Sequence, residues 1–200
     1  MPVIVPLQLE GRLVRIRDWR AGDLPIYREW LRPHHEWHDW DGPYFPVPDD
    51  AEADNLVRSL GVLLNQPRTA APPRRAVVAD RGTDSLIGVV SWYYECEVSD
   101  WRRVGITVFD PGLRGRGVGL EALTLWAAHL FSSTGIRRLD FATWSGNAAM
   151  CRVGEKAGWR EEARFRDARE VRGEVYDAVV FGVTRGEWER TAPTRSGVSP

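Results

Sequence analysis

Cysteine and methionine are scarce in this 200-residue chain, two of each, and lysine is scarcer still, with Lys156 alone. Two thiols, Cys96 and Cys151, make no disulfide framework, which excludes a small secreted scaffold held by cross-links. The start, "MPVIVPLQLEGR", has neither a basic opening nor a long apolar run, so it does not read as a signal peptide. The uncharged run from Ala122 to Ile136 is too short to span a bilayer and contains His129. Excess charge is missing too. A net charge of -1 gives no overall pull toward nucleic acid or lipid headgroups, so neither is expected as a partner. These absences leave a cytoplasmic globular protein, and 43% hydrophobic with 28% charged residues agree with one domain of ordinary size.

Tryptophan is plentiful. Ten are scattered along the chain, which suits core and cleft packing better than one recognition patch. The ends read as tails over 1–8 and 191–200, leaving a domain over 9–190. Alternation predicts strands at "RLVRIRDW", "RRAVVAD", "SLIGVVSWYYE", "RRVGITVFD", "RRLDFATW", "REEARFRDARE" and "EVYDAVVFGVT". The last two form a hairpin around Arg172-Gly173. Helical spacing and start signals predict helices at "DLPIYREWL", Asp49 to Asn65, the stretch from about Gly117, and "NAAMCRVGEKAGW", with Asn147 as N-cap. The fold class is therefore α+β: a mixed, mostly antiparallel sheet of about seven strands with about four helices.

One stretch carries chemistry: "DPGLRGRGVGLEAL", Asp110 to Leu123. Its three alternate glycines permit close approach to the backbone, and the following helix aims unpaired N–H groups into the loop. Arg114 and Arg116 add positive charge, so the loop suits a phosphate or pyrophosphate. A plain strand-to-helix turn is the bland alternative. A dinucleotide fingerprint is another, with Asp140 about twenty residues on, but its third glycine would fall at Leu120 and no βαβ series surrounds it. The third reading is R-x-x-G-x-G, with Arg114, Gly117 and Gly119 in register.

Taken with "SLIG", with Asn147 opening a helix, and with "GEKAGWREEARFR" and "GEVYDAVVFGVTRGEW" at the end, this loop resembles that of the GNAT superfamily of N-acetyltransferases. The closing pattern is similar to the Rim-type branch, named for enzymes that acetylate N-termini of ribosomal proteins. The resemblance covers about residues 9–190. It implies a splayed sheet and an acetyl-CoA-dependent transferase acting on a primary amine, either a protein N-terminus or a small amine. It further implies that Arg114, Gly115, Arg116, Gly117, Val118 and Gly119 hold the CoA pyrophosphate. Thr107, Val108 and Phe109 would pair with the pantetheine arm, and Asn147 would contact it unless it is only a helix cap. A backbone N–H on that strand would polarise the thioester carbonyl. No metal is implied, and a homodimer is compatible with the family.

The usual acid–base positions do not carry over. The family's Tyr, Ser and Glu positions hold Gly154, Met150 and Ala142. Glu95, at a strand end on the implied acceptor side, is a candidate base or a solvated carboxylate. Ser145 is a candidate near the sulfur; Cys151, also considered, reads better as a small buried hydrophobe. The missing residues keep a rival open, an inactive acyl-CoA-binding regulatory protein.

"PHHEWHDWDGPYFP", Pro33 to Pro46, invites a metal reading, but His35-Glu36-Trp37-His38 falls one residue short of the H-E-x-x-H spacing. The stretch instead suggests an acceptor wall built of Trp37, Trp40, Tyr44 and Phe45. Seven acidic residues lie between Glu36 and Asp54 with no Lys or Arg. They would draw a cationic amine toward an aromatic mouth, although Asp49, Asp50 and Glu52 equally suit a helix N-terminus.

Overall fold

A computed structural model describes residues 6–67, 69 and 71–191. The chain opens with β1 (Gln8–Glu10) and β2 (Val14–Arg17), followed by α1 (Asp23–Trp30), a single 3-10 turn at Glu36–Asp39, and α2 (Asp50–Leu64). Then come β3 (Arg75–Asp80), β4 (Leu86–Cys96), β5 (Trp101–Val108), α3 (Val118–Ser133), β6 (Arg138–Trp144), α4 (Ala148–Lys156), β7 (Arg160–Val171), β8 (Glu174–Thr184) and α5 (Arg185–Thr191). One sheet takes all eight strands in the order β1-β2-β3-β4-β5-β6-β8-β7. The expected mixed sheet is present, with one strand and one helix more than the sequence predicts. The extra strand is β1, which pairs Gln8 with Arg17 and Glu10 with Arg15, and Leu7 before it is buried. The predicted N-terminal tail is thus shorter than eight residues at its inner end. Residues 192–200 of the predicted C-terminal tail lie outside the described residues.

Every neighbouring pair is antiparallel except β5 and β6, which run parallel and pair only at Arg102↔Leu139 and Arg103↔Asp140. Beyond that point the strands part. The opening runs toward the C-terminal ends of both, and α3 begins beside it.

Alternation along the strands feeds two cores on opposite faces. On one face Val78, Val90, Val104 and Phe141 pack under α3, whose Leu123, Trp126, Ala127 and Leu130 are fully buried. On the other, Val77, Ala79 and Phe109 meet Tyr27 and Leu31 at α1 and Ala53 and Leu60 of α2. Local chemistry fixes the helices. Asp49 and Glu52 form a reciprocal capping box at α2. In the first turn of α3, Glu121 accepts three backbone N–H bonds, from Arg12, Leu13 and Val14, at 2.7 to 2.9 Å, which ties α3 to the start of β2. Thr134 ends α3 as its C-cap. The β7–β8 turn is Arg172-Gly173 as expected, with φ of 55° and 79°, the paired left-handed geometry of a two-residue hairpin loop.

Candidate active site

The parting of β5 and β6 creates a cleft of about 960 Å³. Its walls are Val104 to Val108 of β5, Phe141 to Trp144 of β6, the loop from Leu113 into α3, the start of α4, and residues of the segment 37–45. Gly115 and Gly117 take φ of 72° and 89°, the left-handed region that other side chains enter at a cost. Gly117 is the N-cap of α3 and no side chain caps that helix, whereas Asp49 caps α2 and Asn147 caps α4. Uncapped N–H groups at a helix N-terminus, facing a cleft, suit an anionic group. The residues fit the diphosphate and extended arm of coenzyme A: a bare turn, free backbone donors and an unpaired strand edge leading inward.

Arg114 lines this cleft, ion-paired with Glu36 and with its guanidinium 5.6 Å from the centre of the Trp40 ring. A phosphate at the loop would meet an arginine already held in place. Gly115, Gly117, Val118 and Gly119 line the cleft as well, while Arg116 is exposed and is not among the lining residues. Thr107 and Val108 are on the wall. Phe109 is not: its ring is buried against Tyr27, Trp30 and Trp37, and its N–H donates to the Ile87 carbonyl at 3.0 Å. Asn147 serves two partners. Its Oδ1 accepts from Met150 N at 3.0 Å, and its Nδ2 donates to the Trp40 carbonyl at 3.0 Å. Trp144 Nε1 donates to the same carbonyl at 3.1 Å, so the segment around Trp40 is tied across the cleft to the β6–α4 junction.

Trp37, Trp40, Tyr44 and Phe45 all line the cleft, and Phe45 is 67% exposed. Arg169 of β7 sits over Tyr44, 4.5 Å from the ring centre. The histidines divide. His38 faces the Arg32 carbonyl at 3.1 Å, and burial pulls its pKa down. His34 and His35 gather at the surface around Glu29, 3.9 and 3.6 Å away. None of the three faces the cleft.

Glu95 and Ser145 are not among the lining residues. Glu95 pairs with Arg103 at 2.9 Å. Ser145 Oγ accepts the Asp177 N–H at 3.0 Å, beside the β8 strand. Cys151 is half-buried, and burial raises its thiol pKa. Gly154 packs so tightly that an added Cβ would lie 2.7 Å from the Phe181 ring and 2.8 Å from that of Phe141. No larger side chain fits there.

The acidic run resolves into pairs. Glu36 binds Arg114, Asp39 binds Arg172, Asp50 and Asp54 bind Arg28, and Asp49 and Glu52 cap α2. Asp41 is the exception. It lines the cleft and accepts a hydrogen bond of 2.7 Å from Thr107 Oγ1. The residue is exposed as a whole, yet burial of its carboxyl raises the pKa above the ordinary value, against the Thr107 bond that lowers it. Sequence reasoning also missed Tyr93, Arg103, Trp144 and Arg169 as cleft residues.

Residues 13–160 match the family model described as an acetyltransferase (GNAT) domain. This chain belongs to the GNAT acetyltransferase family. As a member it is an acetyl-CoA-dependent N-acetyltransferase, and the splayed sheet is the GNAT fold. An uncharacterized N-acetyltransferase from a Bacillus subtilis prophage, YokL, is 25% identical over 156 residues, covering 70% of this chain and 84% of that one. Two solved GNAT structures align over 90% of the chain. Spermidine N-acetyltransferase from Vibrio cholerae, in complex with CoA and spermine, gives a TM-score of 0.70 at 16% identity over 99% of its length. RimL, a ribosomal L7/L12 alpha-N-protein acetyltransferase in complex with coenzyme A, gives 0.69 at 16% identity over 98%. No helix among the described residues is long and apolar enough to cross a membrane.

Proposed function

We propose that this GNAT protein moves an acetyl group from acetyl-CoA to a primary amine by direct attack, as a Rim-type enzyme of the cytoplasm acting through one domain over about 9–190. The observation that carries this reading is the parallel β5–β6 joint, which ends after Arg103↔Asp140 and opens toward the uncapped start of α3. An extended arm can pair with the free edge of β5 while its diphosphate takes the N–H groups of residues 114–119. A backbone N–H at Thr107 or Val108 would stabilise the oxyanion that develops on the thioester carbonyl. Trp37, Trp40, Tyr44 and Phe45 form the acceptor side, where aromatic faces suit a cationic amine. Asn147 places Trp40 there and reaches the arm from the opposite wall. Glu95 holds Arg103 in the cleft wall, and Ser145 secures β8 beside it.

The acceptor is a small amine or a protein N-terminus; solved relatives are named for each kind. Titration calorimetry with CoA and release of free thiol from acetyl-CoA, with spermidine and a short peptide bearing a free α-amino group, test the reading. Saturable binding with turnover on either supports it. Saturable binding without turnover would replace it by a binding-only role, and no binding would remove both.

A further inference from the structure

We infer that Asp41 is the residue that receives the acceptor ammonium and takes its proton. The inference rests on the acyl-transfer reading above and deepens it. Val104, Ile106 and Val108 of β5 pack toward the α3 core, so alternation puts Thr107 on the opposite face, where an acceptor approaches the strand edge. Asp41 meets Thr107 on that face, 66 residues away in sequence. Six other carboxylates of the same stretch are occupied by arginines or by the cap of α2, which leaves Asp41 as the carboxylate of that stretch that faces the cleft without an ion-pair partner.

The groups that bear on Asp41 are His38 beside it in sequence, Arg75 of β3 and Tyr27 of α1. Burial pulls the His38 pKa down, and whatever charge it carries favours the Asp41 carboxylate. An ammonium entering past Tyr44 and Phe45 finds one anion, already oriented by the Thr107 hydroxyl. Burial raises the pKa of Asp41 above the ordinary carboxylate value, the direction that strengthens it as a base.

The atoms balance without any further reagent. The ammonium gives one proton to the Asp41 carboxylate and becomes a neutral amine. The amine nitrogen bonds the thioester carbonyl carbon, and the C–S bond breaks. The second nitrogen proton goes to the departing thiolate, giving the amide and free CoA thiol. Asp41 returns its proton to water through the open mouth.

The test uses the full chain, with CoA affinity by calorimetry and thiol release with spermidine and the free-amine peptide from pH 5.5 to 9.5. Asp41→Asn keeps the shape and removes the base. It is expected to lower kcat/KM at pH 7 by about 10²-fold or more and to flatten the rise of rate with pH, with CoA affinity within twofold of wild type. Thr107→Val removes the donor that holds the Asp41 carboxylate charged, so the rising limb should move to higher pH, a change that a merely structural role would not produce. An Asp41→Asn enzyme with the wild-type rate and pH profile overturns the assignment, as does loss of CoA binding in step with activity. A wild-type chain that turns over neither amine overturns the acyl-transfer reading and this assignment with it.

Discussion

Arg103 and Asp140 face each other as the last pair of the parallel β5–β6 joint, with Nε donating to Oδ1 at 2.7 Å. Asp140 is fully buried and also accepts from Trp101 Nε1 at 2.5 Å and Arg138 at 3.2 Å, so one carboxylate closes the vertex from which the cleft opens. Val104 and Phe141, next beyond the pair, line the cleft without pairing with each other, and Arg103 is also held by Glu95.

Removing that carboxylate leaves Arg103 and Arg138 short of a buried partner. Asp140→Ala is expected to cost about 3 kcal/mol in denaturant unfolding. The same change should weaken CoA binding severalfold, since the vertex sets how far the strands part. A variant as stable as wild type would show that the joint does not depend on the pair.

Much of this arrangement was legible in the sequence because it is written locally. The glycine loop, the Asn147 cap and the Arg172-Gly173 turn each need particular residue types within a few positions. The short strand β1 was not legible, since three residues give no period to read and its order comes from pairing with β2. The acidic run misled for a related reason. Its cations, Arg28, Arg114 and Arg172, come from other segments, so a crowd of negative charge in sequence is mostly neutral in space. Phe109 reads as the end of a strand beside the cofactor loop, yet its ring belongs to the second core. Asp41 stood in plain view among the acids, and nothing local marked it out before Thr107 was brought against it.

Gly117 offers a test of the loop with little risk to the fold. A Cβ there would touch only Leu13, at an ordinary 3.5 Å, but φ of 89° disfavours a β-branched side chain. Gly117→Val is expected to lower stability by roughly 1–2 kcal/mol and to weaken CoA binding at least tenfold by calorimetry. Unchanged affinity would show that CoA is held elsewhere.

Asp84 sets a pH window for stability. Arg15, Arg17 and Arg20 converge on it. Partial burial works to raise its pKa, but the hydrogen bonds and charge of these arginines outweigh that and bring it from 3.8 to about 2. A folded-state pKa below the unfolded one gives stability that is fully present above about pH 4 and is lost as pH falls toward 2. Asp84→Asn suits the position, because φ is 58° there and Asn tolerates the left-handed region. The melting temperature of the variant should fall below wild type by a few degrees at pH 6. That gap should narrow between pH 4 and 3, and a gap constant over this range would show that the Asp84 charge contributes no pH dependence.

Gly154 decides whether a tyrosine could stand where the family resemblance places one. The position lies on α4 against β6 and β8, and even a methyl group would press on Phe181 and Phe141, rings stacked at 5.4 Å. Overpacking of this kind costs about 1–3 kcal/mol for Gly154→Ala, and more for Tyr, which must displace both rings or lift the helix. Lifting α4 would also disturb Asn147 and, through its bond to the Trp40 carbonyl, the Trp40 side of the cleft. Gly154→Tyr is therefore expected to melt well below wild type and to give no gain in thiol release with any amine. A stable Gly154→Tyr enzyme with higher turnover would mean that α4 can stand off the sheet. The packing argues instead that α4 sits too close to β6 and β8 for a tyrosine to have a place there.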